Sequence, residues 1–116
     1  MGKQTKTIAT AYKVRLSDNA VHNIDEITSY IAIVNHQPMN AVKVGDALFA
    51  TIDQIELRPY AFKECDLLPT KSKLYRQALC LSWYIVYKIA DTQIIVLGII
   101  HGSRKPSKRK ALKRVK

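Results

Sequence analysis

A chain of 116 residues that is 47% hydrophobic and 24% charged has the size and composition of one globular domain. Its two cysteines lack CxxC spacing and its three histidines lack HxxH or HExxH spacing, so neither a disulfide framework nor a zinc site is indicated, and no cofactor or metal is expected. The net charge of +10 belongs to the ends, with four basic residues in 1–15 and eight in 103–116, while 16–102 is slightly acidic, so overall basicity does not mark the domain itself as a nucleic-acid binder.

Residues 1–11 read as a flexible N-terminal extension. They lack the apolar run of a secretory signal, and Lys6 stands where a myristoylation motif needs Ser or Thr. Tyr12-Lys13-Val14-Arg15-Leu16 alternates apolar and charged residues, the pattern of a strand with one buried face. Ser17 or Asp18 is placed to cap a helix by accepting a backbone N–H. Val21, Ile24, Ile27, Ile31 and Val34 then recur at three- or four-residue spacing and predict an amphipathic helix near 18–34. Asn35-His36-Gln37 breaks it. Pro38 suits the first turn of a second helix near 38–57, where its missing N–H is harmless. The stripe of that helix is Ala41, Val44, Leu48, Ile52 and Ile55. Gly45 weakens it by roughly 1 kcal/mol relative to alanine, or else permits close packing on the first helix. Arg58-Pro59 ends it, because a residue before proline avoids the helical region.

Residues 60–73 are irregular, with Pro69 and scattered charges. From residue 74 the pattern changes. Leu74–Cys80, Trp83–Ala90 and Ile94–His101 are rich in β-branched and aromatic residues, with hairpin-length connections between them. Trp83, Ile85, Tyr87 and Ile89 share one strand face and read as core. The run 94–101 is almost wholly apolar, as expected of a strand covered on both faces. No run of about 18 apolar residues occurs, so no membrane span is expected. The cysteines read as plain thiols of a reducing cytoplasm. The expected fold is α+β in the order β-α-α-β-β-β, with a helical hairpin packed on one face of a small twisted antiparallel sheet.

The run Tyr75-Arg76, six residues, Trp83-Tyr84-Ile85-Val86-Tyr87-Lys88-Ile89, then Ile94-Ile95-Val96-Leu97 and the ending Ile100-His101-Gly102-Ser103-Arg104 resembles the C-terminal half of RelE/ParE toxins. Leu16-Ser17, Asp25-Glu26-Ile27, Tyr30-Ile31-Ala32 and Arg58-Pro59 also look like that superfamily. The likeness covers about residues 12–104 and is closer to the ParE branch; the ending after the apolar strand is its most specific piece. It implies the toxin of a type II toxin–antitoxin system, neutralised by a cognate antitoxin whose C-terminal segment wraps the toxin. In this superfamily ParE-type members inhibit DNA gyrase, and RelE-type members cut mRNA on the ribosome.

The resemblance also singles out residues. Arg76 is a candidate contact for phosphate or an acidic partner, since a guanidinium pairs bidentately with oxyanions; otherwise it is a solvated strand arginine. Tyr84 stands where many members carry arginine, which in RelE-type nucleases stabilises charge on the transferring phosphate. A tyrosine donates a hydrogen bond but no positive charge, which favours the ParE-type action. His101 is a candidate general acid or base, the role to which the histidine side chain is best suited near neutral pH, or it simply closes the last strand. If the chain is a nuclease, Arg76, Tyr84, His101 and Arg104 are the catalytic candidates. For target or partner binding the candidates are Arg76, Arg104, Lys105, Lys108, Arg109 and Lys110.

The expected organisation is thus a toxin domain over 12–104 and a basic tail over 105–116, whose like charges favour disorder until an acidic antitoxin segment, RNA or DNA is present. The leading reading is a cytoplasmic, non-enzymatic toxin that binds gyrase, as a homodimer or in a toxin–antitoxin hetero-oligomer. The alternatives are a RelE-like endoribonuclease acting on ribosome and mRNA, and a non-toxic basic binding module.

Overall fold

The computed structural model describes residues 11–66 and 68–102. Both ends of the chain, with the expected N-terminal extension and basic tail, lie outside the described residues. The elements are β1 (Lys13–Leu16), α1 (Asp18–Ser29), a π-helical turn (Tyr30–Val34), α2 (Pro38–Leu57), β2 (Tyr75–Cys80), β3 (Trp83–Ala90) and β4 (Gln93–His101).

Ser17 is the cap that starts α1. Its backbone is extended, and its hydroxyl accepts the Ala20 N–H at 3.0 Å. Asp18 follows in the first turn, where the positive end of the helix favours a carboxylate. The expected single helix over 18–34 changes character at its end. Thr28 turns its hydroxyl back to the Ile24 carbonyl at 2.9 Å, a bond that competes with the helical ladder and bends it. The π turn follows directly. In α2 the buried residues are Ala41, Val44, Leu48, Ile52 and Ile55, the stripe expected from spacing alone. A Cβ on Gly45 would lie 3.5 Å from Thr28 Cγ2. That is ordinary van der Waals contact, so close helix packing does not require the glycine.

The sheet order is β1-β4-β3-β2. β2, β3 and β4 form the expected antiparallel meander, whereas β1 pairs with β4 in parallel, from Lys13 opposite Gln93 to Leu16 opposite Val96. The α+β class stands, and the sheet is mixed rather than wholly antiparallel. The reason is directional. The chain runs one way through β1 and α1, returns through α2 and sets out again through β2, so two hairpins later β4 points as β1 does.

β1 is short, and side chains of α1 take over where it stops. Beyond the backbone bond from Ser17 N–H to Val96, the Leu97 carbonyl accepts from Ser17 Oγ at 3.1 Å and Asn19 Nδ2 at 2.9 Å. The Ile99 N–H donates to Asn23 Oδ1 at 3.0 Å. The ladder is irregular at the same place. Val86 faces Gly98 and Tyr87 faces Val96, leaving Leu97 as an extra residue in β4, which is the geometry of a bulge.

Ile94–Ile100 is buried throughout because both sheet faces are covered. On one face Leu48, Ile52 and Ile55 of α2 and Ile24 of α1 meet Ile85, Tyr87 and Val96. On the other, Cys65 and Leu68 meet Val86, Leu97 and Ile100, with Tyr75 and Tyr84 at the margin. The irregular segment after α2 supplies that second cover. It wraps around β2, with Gln77 N–H donating to Lys63 O at 3.0 Å and Cys65 N–H to Tyr75 O at 2.9 Å.

Candidate functional site

Arg76, half-buried on β2, is engaged by its own chain. Its guanidinium donates to the carbonyls of Phe62 at 2.9 Å, Lys73 at 3.0 Å and Tyr60 at 3.4 Å. It also lies 5.1 Å from the centre of the Tyr60 ring. Three carbonyls from two stretches of the wrapping segment converge on this one planar cation, a task that suits a guanidinium fork. Its strand partner Tyr87 completes the clamp, with the buried phenol donating to the Pro59 carbonyl. Burial raises the Tyr87 pKa above its ordinary value, and the nearby Arg76 charge offsets part of that rise. Arg76 thus holds the 58–74 segment to the sheet.

Tyr84 lies on the other sheet face, packed against the cluster of Cys65, Val86 and Ile100. There its ring packs as part of the sheet's second apolar cluster. His101 returns to the helix side at the end of β4. Its ring meets Trp83 edge-on, with centroids 6.0 Å apart. It lines a cleft of about 160 Å³ with Asn23, Glu26 and Ile27 of α1. Glu26 itself is 3.4 Å from His22, one turn back.

The three described candidates are therefore not assembled. Arg76 pairs with Tyr87, while His101 pairs with Trp83, so along β3 they are about four residues, or ~13 Å, apart. Tyr84 points away from both. Arg104, Lys105, Lys108, Arg109 and Lys110 lie outside the described residues. Among the described residues there is no group of three or more His, Cys, Asp or Glu side chains arranged to hold a metal ion, and no helix is long and apolar enough to cross a membrane.

Sequence reasoning missed Asn19 and Asn23, which satisfy the β4 backbone. Their signal is faint: two amides one turn apart on the flank of an apolar stripe. It also missed Gln77, buried in β2, whose Oε1 accepts the Asp66 N–H at 3.1 Å and helps seat the wrapping segment.

The surface divides by charge. Residues 18–57 carry six carboxylates and one lysine, whereas 58–102 carry six basic residues and three acids. The second group includes Lys88, whose ammonium lies 5.7 Å from the centre of the Tyr75 ring. The acidic set lies on the two helices and the basic set on the wrapping segment and the strands, so the protein presents an acidic helical side and a more basic sheet side.

Comparison with known proteins agrees with this architecture. A family model described as the ParE toxin of the type II toxin–antitoxin system parDE matches residues 14–106. No curated protein matches the chain. Among solved structures, a chain of the chromosomal ParDE toxin–antitoxin system of P. aeruginosa is 13% identical, with a TM-score of 0.65 over 79% of this chain and 97% of that one. A free mutant of the E. coli toxin RelE is 14% identical, with a TM-score of 0.60 over 90% and 97%. A chain of a Mycobacterium tuberculosis RelBE toxin–antitoxin complex is 16% identical, with a TM-score of 0.51 over 78% and 98%. At these identities the likeness speaks for the fold.

Proposed function

The chain belongs to the ParE toxin family of type II toxin–antitoxin systems, and from that premise we propose that it arrests growth by binding DNA gyrase and is neutralised by a cognate antitoxin. The observation that carries the gyrase reading is the position of Arg76. As a superfamily candidate for handling phosphate, it turns its Nε and Nη1 donors to the carbonyls of Lys73, Tyr60 and Phe62. Tyr84 brings no positive charge and lies on the face opposite His101. A surface that acts by fitting another protein needs no such cluster. The antitoxin reading is supported by family membership and by the solved relatives, which come from toxin–antitoxin systems.

The test is induced expression scored in parallel for DNA supercoiling and for translation. Loss of gyrase supercoiling, with translation and mRNA intact at early times, is the expected result. Early ribosome-dependent mRNA cleavage with normal supercoiling overturns it in favour of the RelE-like action. A normal growth curve in both arms favours a non-toxic binding module. Co-expression with an antitoxin-like open reading frame, where one is found beside the gene, should restore growth and yield a complex that survives purification.

A further inference from the structure

The helical hairpin leaves an apolar groove on its outer side. Between the end of α1, the π turn and the start of α2 lies a cavity of about 500 Å³, whose lining includes Ala32, Ile33, Val42 and Phe49. A second cavity, of about 220 Å³, continues it past Thr28 and Phe49 to Val21 and Leu16. The apolar side chains are strongly exposed: Ile33 70%, Val42 56%, Val21 52% and Phe49 47%. So long a row of open apolar surface on a small domain marks a docking site. Its rim is acidic, with Asp46 lining the first cavity and Asp25 the second. The occupant that fits is a segment that is apolar along one side and basic along the other.

We propose that this groove seats the chain's own C-terminal segment, residues 108–116. That stretch carries Lys108, Arg109, Lys110, Lys113, Arg114 and Lys116 around Ala111, Leu112 and Val115. At helical spacing the three apolar residues fall on one side, and the basic residues flank them. Charge is complementary, since residues 18–57 hold six carboxylates against one lysine. Position agrees as well. His101 lies against Glu26 and Ile27, on one flank of α1, and the groove opens against Thr28 and Ser29 on the other. The segment from Ser103 has only to round one helix, about 10 Å across. Between Gly102 and Lys108 the chain spans at most ~20 Å, about the half-circuit of that helix, so 108–116 reaches the groove with 103–107 extended. A symmetric second copy is disfavoured, because it would set two acidic hairpins face to face. The segment in the groove masks apolar surface in the free protein, and a partner that takes the groove must first displace it.

A spin label on Lys110→Cys of the full chain tests the proposal, because both native cysteines are buried. At low salt the methyl signals of Ile33, Val42 and Val21 should broaden at least threefold more than those of Leu79 and Leu81 on the far hairpin. The broadening should be independent of protein concentration. It should be lost in the Asp25→Lys/Asp46→Lys variant and at about 1 M salt, where the Debye length is ~3 Å. Uniform or absent broadening at low salt overturns the proposal. Broadening that appears only between mixed labelled and unlabelled copies also overturns it, and assigns the groove to the tail of a second copy. Growth arrest and gyrase supercoiling are scored on the unlabelled variants, so a failure here is distinguishable from a failure of the gyrase reading.

Discussion

Replacing Arg76 separates a clamp from a contact residue. In the structure its guanidinium holds carbonyls at 2.9, 3.0 and 3.4 Å, of which only the bond to Phe62 is partly buried. Hydrogen bonds to a charged group contribute about 1.5–3 kcal/mol each when sheltered. With two of the three open to solvent, a total near 2–3 kcal/mol is the reasonable figure for Arg76→Ala. For a domain of this size that corresponds to a fall of roughly 10 °C in melting temperature. Arg76→Lys keeps the charge, but a single ammonium cannot span the same carbonyls, so about half of the loss should remain. Thermal unfolding measures the total. Hydrogen exchange locates it, because the amides of Cys65 and Gln77, which tie the wrapping segment to β2, should exchange faster while those of α2 stay protected. If both variants melt like the parent and keep those amides protected, yet fail to bind gyrase or antitoxin, the clamp is refuted and Arg76 is a binding residue.

Three further changes probe other joints of the fold. Ser17→Ala removes both the cap of α1 and a donor to the Leu97 carbonyl, and should lower unfolding free energy by about 1–2 kcal/mol in denaturant titration; an unchanged midpoint would contradict that double role. Tyr87→Phe leaves the buried Pro59 carbonyl without its phenol donor and should destabilise by about 1–2 kcal/mol at neutral pH. Because burial raises the Tyr87 pKa, the unfolded phenol ionises first, so its stabilisation is intact below pH ~10 and declines above it. The gap between parent and Tyr87→Phe should therefore narrow in alkaline melts, and a constant gap would refute it. Leu81→Gly relieves a leucine held at φ 56 in the β2–β3 turn and, since that side chain is largely exposed, should stabilise by about 0.5–1 kcal/mol. A lower melting temperature would show that the Leu81 side chain packs more than its exposure indicates.

The helices were legible because their apolar stripes repeat every three or four residues, and the three long strands because β-branched and aromatic residues crowd between hairpin-length connections. The α2 stripe matched residue for residue. The parallel partner of β1 was not legible, since four alternating residues announce a strand but not its neighbour. The wrap of 58–74 was hidden for a different reason. It is held by backbone bonds to β2 and by Arg76, and neither leaves a periodic trace. For the same reason Arg76 read as a contact for phosphate or an acidic partner, or as a solvated strand arginine, with no sign of the carbonyls it meets in its own chain. Tyr84 and His101 were placed on the correct strands, but which sheet face each occupies decided that they do not meet.

The pairing of β1 with β4 joins residues about 80 positions apart, which has a consequence during synthesis. The apolar stripes of α1 and α2 leave the ribosome well before Ile85–Ile99, the surface that buries them. Closing so long a loop is entropically unfavourable until the strands exist to reward it. A nascent chain halted anywhere before Val96 therefore has two sticky helices and no sheet to hold its first strand. Folding is deferred almost to the last codons of the domain, and the completed protein appears abruptly rather than in functional instalments.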